Sequence, residues 1–104
     1  MESRSVKRLR SVIAPDLDHC MITGSTDVER HHVFHGTHNQ RMLCEEYGFI
    51  APLRRDLHQN GEWAVHNRPN GALDTLLKVM CQRRFEAEIG TREEFIEQFG
   101  KNYL

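Results

Sequence analysis

Apolar residues fall three or four apart at Leu73, Leu77, Met80, Cys81, Phe85 and Ile89, and this single stripe predicts an amphipathic helix over residues 72–89. Gly90 ends it. Thr91-Arg-Glu-Glu94 then reads as a capping box, in which Thr91 meets the Glu94 amide and Glu94 reaches back. The helix it starts carries Phe95, Ile96 and Phe99 and stops at Gly100. Upstream the pattern is shorter and more mixed. Residues 19–26 read as a strand and turn, with Gly24 and Ser25 as turn residues, and 28–34 as a second strand. Residues 36–48 are polar and loop-like with one helical turn at 40–46, and 49–53 are apolar and extended. Residues 54–60 read as a short helix with Asn60-Gly61 as its stop. An extended run over 62–66 follows, before Pro69-Asn70-Gly71 turns the chain. The first 18 residues form a basic arm, with a helical turn through Val6, Leu9, Val12 and Ile13 stopped by Pro15.

A chain of 104 residues suits one core, here 19–104 behind the arm. With 38% hydrophobic and 28% charged residues it has ordinary globular composition. No run approaches the roughly 20 apolar residues needed to span a bilayer, and no apolar stretch follows the basic start as a secretory signal requires. The expected place is the cytoplasm, with no membrane partner. Cys20, Cys44 and Cys81 are scattered and odd in number, which suggests reduced thiols rather than a disulfide framework. Cys44 and Cys81 read as small buried side chains.

The net charge of −1 does not itself point to nucleic acid. Its distribution is uneven, with Arg4, Lys7, Arg8 and Arg10 against Glu2 at one end and five glutamates against Arg92 over residues 86–97. Such a chain can set a local basic face on DNA without being basic overall. Histidine is more telling: of seven in the chain, six lie between His31 and His66.

These histidines fall in a pattern: Arg30-His-His-Val-Phe-His-Gly-Thr-His-Asn39, then Pro52-Leu-Arg-Arg-Asp-Leu-His58. Successive strand side chains point to opposite faces, so His31 and His32 do not easily hold one ion; one can bind metal while the other faces substrate. A short helix then brings His58 to the metal. Imidazole suits transition-metal dications. Adding Tyr47-Gly-Phe49, Gly61 to His66 (Gly-x-x-Ala-Val-His), Gln-Arg-Arg-Phe-Glu86 and the closing Phe-Gly-Lys-Asn-Tyr103, the chain from about Cys20 onward resembles small HNH endonucleases of phages and prophages.

That resemblance implies an α+β fold with a ββα-metal (His-Me finger) core and a C-terminal helical pair. It implies a metal-dependent enzyme, in a bacterial host cell, that hydrolyses DNA phosphodiesters one strand at a time, with a homodimer or a targeting or recombination protein as partner. His31 matches the metal-ligand position, His32 the general base, His58 the ligand on the helix and Asn39 the middle asparagine that orients the base. His66 is a third ligand or a group behind the ligands. The cofactor is one divalent ion, Mg2+, Mn2+, Ni2+ or Zn2+. Many HNH domains add a structural zinc on two C-x-x-C pairs; here the corresponding places hold Cys20, Thr23, Arg54 and Leu57, so that zinc is not expected. Arg41, Arg54, Arg55 and Arg68 flank the site as phosphate contacts or as solvated surface charges. His35 binds phosphate or packs, and His19 and His38 read as surface residues. A non-catalytic DNA-binding module and a structural zinc protein are the competing classes. His32 discriminates among them, because a structural site has no use for a base turned away from the metal.

Overall fold

A computed structural model describes residues 10–36, 39–62 and 64–104, without the side chain of residue 60. Val6, Leu9 and the basic residues of 1–9, with His38, lie outside them, as does Trp63 in the middle of the expected 62–66 run. Among the described residues no helix is long and apolar enough to cross a membrane.

The fold is a small α+β arrangement. Strand β1, Val28–His32, pairs antiparallel with β2, Ile50–Arg54, with His31 opposite Ala51 and His32 opposite Ile50. The β-branched Val28 and Ile50 suit a pleated surface. Pro52 lacks an N–H, which a two-stranded sheet tolerates because each strand has one unpaired edge; its carbonyl instead accepts the Met21 N–H at 2.9 Å. The connection between the strands holds helix α1, Gln40–Tyr47. Directly after β2 comes a π-helical turn, Asp56–Asn60, a geometry common at functional sites. Helices α2, Ala72–Glu88, and α3, Arg92–Phe99, complete the chain.

Several expectations are corrected. Residues 19–26 form no strand: the Gly24 N–H donates to the Cys20 carbonyl at 2.8 Å, and the chain curls into a tight turn beside β2. Local hydrogen bonding there wins over alternation. The second expected strand stops at His32, since Val33 and Phe34 turn into the core. Helix α1 runs two full turns, closed by Gly48 at φ 80, where a side chain would be strained. Arg54 ends β2 instead of starting the short helix. A Cβ at Gly61 would collide with the Asp56 carbonyl, so glycine is required where that turn closes. His66 lies on a turn, not on an extended run. Ile89 is 44% exposed, whereas Asp74 and Gln82, outside the predicted stripe, are buried.

The C-terminal pair does what its pattern predicts. Thr91 accepts the Glu94 N–H at 3.1 Å and Glu94 accepts the Thr91 N–H at 2.7 Å. Phe34 sits at the centre of an aromatic core, its ring 4.5 Å from Phe99, 5.7 Å from Phe95 and 6.1 Å from Phe49 between centroids. Val12, Ile13 and Leu17, at the described end of the arm, pack on this core, and Val12 N–H donates to the Gly48 carbonyl at 2.9 Å. Cys44 and Cys81 are buried thiols, as their pattern suggests, and burial pushes Cys44 up to about 11.

Candidate metal centre

The sheet and the π-helical turn bring three histidines together. His31, on β1, is 1% exposed. His58 sits in the π-helical turn that β2 feeds, and His66 follows on a turn tied back by the Val65 N–H to the Leu57 carbonyl at 2.8 Å. Ring centroids lie 5.0 Å apart for His31 and His58, 5.2 Å for His31 and His66, and 4.7 Å for His58 and His66. One ring nitrogen from each falls within 4.8 Å of the others.

The hydrogen bonding is uneven. Nδ1 of His58 donates to Glu29 Oε1 at 2.9 Å, which leaves Nε2 as its lone-pair nitrogen. That nitrogen stands 3.0 Å from Nε2 of His66, whose N–H donates to it when both rings are neutral. Nε2 of His31 is buried and has no partner among the described residues. Glu29 is itself held, by Gln59 Nε2 at 3.0 Å and by Arg55 at 3.7 Å. A carboxylate behind a ligating imidazole fixes its tautomer and raises its basicity.

Electrostatics disfavour the charged form of two of these imidazoles, His31 and His66. Burial, reinforced by the charges of His58, His66 and His35, drives His31 down from 6.5 to about 3. Burial and then the neighbouring His58 also lower His66. Neutral imidazole is the form that binds a metal. A tetrahedral ion with bonds of about 2.0–2.1 Å needs ligand nitrogens roughly 3.3–3.4 Å apart, a few tenths more than the His58–His66 spacing of 3.0 Å. The set as a whole spreads to 4.8 Å, so the three imidazoles are near enough to take one ion once the rings draw together.

The histidines open on a cleft of about 240 Å³ lined by Arg30, His31, His32, His35, Arg41, His58 and His66. His32 lies beside the triad rather than in it, its Nε2 3.0 Å from Glu45 Oε2 on α1. His35 is exposed, its ring centroid 5.8 Å from His31 and 5.2 Å from His66.

Other expected site residues stand apart. Asn39 is exposed at the start of α1 with φ 66, and it does not line the cleft. Arg54 is bound to Asp56 through two contacts of 2.6 and 3.0 Å, and Arg55 pairs with Asp27 at 3.0 Å. Arg68 donates to the Glu62 carbonyl at 2.7 Å. Of the four expected arginines, Arg41 alone lines the cleft, and Arg30 joins it.

Sequence reasoning missed Arg30, Glu29 and Glu45. Two of these carried a signal: Arg30 abuts the histidine pair, and Glu29 stands two residues before His31, hence on its face of the strand. Glu45 lies 13 residues from His32 and carried none. Cys20 has its own surroundings. Burial works to raise its thiol, but hydrogen bonds, first from Thr23, outweigh it and the net direction is down. Comparisons with protein families, with curated proteins and with solved structures return no match.

Proposed function

We propose that this protein is a metal-dependent endonuclease of the HNH type, cutting DNA phosphodiesters at the histidine cleft. The observation that carries the reading is the buried Nε2 of His31, without a partner among the described residues and beside the His58–His66 pair, since an orphaned polar atom next to other donors has its use in a ligand. The chain order supports it too: a histidine strand, an antiparallel partner and then a helical turn bearing a histidine is the ββα-metal order.

His31, His58 and His66 would hold one divalent ion, Mg2+, Mn2+, Ni2+ or Zn2+, with nitrogen ligands favouring the last two. Bound there, it would supply positive charge against the charge developing on the phosphate oxygens. Glu29 keeps the His58 lone pair aimed inward. Arg30 and Arg41 at the cleft wall engage the phosphodiester. His32 takes a proton from water as its oxygen attacks phosphorus; the bond to the sugar oxygen breaks, and that oxygen takes a proton from solvent. One such centre nicks one strand, and a double-strand break needs a homodimer. Because Arg54, Arg55 and Arg68 are engaged with acidic groups or carbonyls, targeting by a partner protein fits better than broad electrostatic attraction to DNA.

The test is plasmid nicking across the four metals with a chelator control. Cleavage should vanish in chelator and return with metal. His32→Ala should keep the metal and lose roughly 10²–10⁴-fold in rate, whereas His58→Ala should lose both. Metal binding without cleavage would leave the non-catalytic DNA-binding module in its place.

A further inference from the structure

A general base needs a fixed ring and a fixed tautomer, and Asn39, which the resemblance assigns to that task, lies outside the cleft. We propose that Glu45 is the positioning residue for His32. Its carboxylate only accepts, so the 3.0 Å contact puts the proton of His32 on Nε2. Nδ1 is then the nitrogen left to receive a proton. The inference rests on reading His32 as the base and names the group that makes it one.

The contact is built, not incidental. The His32 side chain is only 12% exposed while that of Glu45 is 45% exposed, so an enclosed ring meets a carboxylate that reaches it from the surface. The neighbouring Cys44 is fully buried and bonded twice to Phe34, its Sγ receiving the Phe34 N–H at 3.3 Å and donating to the Phe34 carbonyl at 3.2 Å. Phe34 lies two residues beyond His32, so one anchor holds the end of β1 and the turn of α1 that carries Glu45. From the other side the Arg10 guanidinium donates to the Glu45 and Glu46 carbonyls. Backbone held at Cys44 and at the Glu45 and Glu46 carbonyls restricts where the carboxylate can reach, the support that a positioned group needs. A carboxylate does more than an asparagine amide here. It orients the ring and also stabilises the imidazolium that forms when the proton arrives, as the buried aspartate does for the histidine of a serine-protease triad.

The test compares nicking kinetics at saturating metal for the parent, Glu45→Ala, Glu45→Gln, Asn39→Ala, His32→Ala and the adjacent control Glu46→Ala, alongside ¹⁵N-detected NMR of the His32 ring. Glu45→Ala should lose about 10–100-fold in kcat, the usual cost of losing a group behind a reacting one, with KM and metal affinity unchanged. Glu45→Gln, whose carbonyl still accepts the Nε2–H, should recover part of that loss. The NMR should find the Nε2–H tautomer in the parent and a mixture in Glu45→Ala, a signature that general loosening of α1 does not give. Cleavage within twofold of the parent in Glu45→Ala, a larger loss at Asn39→Ala, or an Nδ1–H tautomer in the parent would overturn the assignment. His32→Ala cutting as well as the parent would instead remove the base itself, and the nuclease reading of His32 with it.

Discussion

Gln82 and His31 are both polar and both shut away from water, at 0% and 1% exposure, yet their surroundings are opposite. Gln82 lies on α2 against the aromatic core and uses every hydrogen-bonding group it needs there. Its Nε2 donates to Glu86 and to Asn102, both at 2.8 Å, and its Oε1 accepts the Tyr103 N–H at 2.7 Å. Those bonds tie the end of the chain to α2. His31 lies on β1 among other imidazoles and leaves Nε2 without a partner among the described residues. A buried polar atom left unsatisfied costs about 1–3 kcal/mol. A saturated polar group in a core holds the fold, whereas an unsaturated one in a cleft lowers stability and leaves a lone pair for the ligand proposed above.

The largest effect that separates the two regions is acid sensitivity without metal. His31 is neutral in the fold with its value near 3, while in the unfolded chain it titrates near 6.5. Between those values the unfolded state binds the extra proton, so stability is complete above about pH 6.5 and falls as pH drops toward 3. The contribution is at most about 5 kcal/mol. Carboxylates lowered by partners, such as Glu86 beside Arg92, add their own acid loss, so the quantity to measure is the difference in urea stability between the parent and His31→Leu. That difference should grow in favour of the variant as pH falls from 6.5 to 3; parallel curves would contradict it.

Next comes Gln82→Leu, which strands the Tyr103 N–H and unties the terminus. It should cost about 2–4 kcal/mol in urea unfolding while leaving metal affinity of the folded protein unchanged. At neutral pH, with chelator present, His31→Leu should do the reverse and stabilise by about 1–3 kcal/mol, the desolvation cost that it removes. A destabilised His31→Leu would mean that the imidazole is satisfied after all. The smallest is Thr91→Ala, which breaks the capping box for about 1 kcal/mol; it should lower the melting temperature without moving metal affinity.

The two regions were also unequally legible in the sequence. The C-terminal pair is governed by local rules, a period near four with a glycine stop and a capping box, and those rules act within a few residues, so α2 and α3 follow directly. Gln82 escaped them because its partners are Glu86 on its own helix and Asn102 and Tyr103 beyond α3, and periodicity reads only apolar faces. In the cleft, the resemblance picked His31 and His58 as ligands and left His66 open between a third ligand and a group behind them; the sheet and its following turn bring all three together. Alternation separated His32 from that triad, although both neighbours line one cleft. What the sequence did not carry was long-range pairing. Glu45 reaches His32 only because α1 folds back on β1; the pairing of Arg54 with Asp56, by contrast, is local and was overlooked. Residues 19–26 misled for a related reason: the turn closed by the Cys20 carbonyl satisfies backbone groups locally that a strand would have paired.

On the proposed reading, the His31 nitrogen that has no partner among the described residues belongs to a metal site. Titration of the metal-free parent and of His31→Leu with Zn2+ and Ni2+, followed by calorimetry and by melting temperature, tests it most directly. The parent should bind one ion per chain, release protons as it binds and melt at a higher temperature when loaded, whereas His31→Leu should stay folded and show neither binding nor a shift. Equal binding by the two proteins, or none by the parent, would contradict the account.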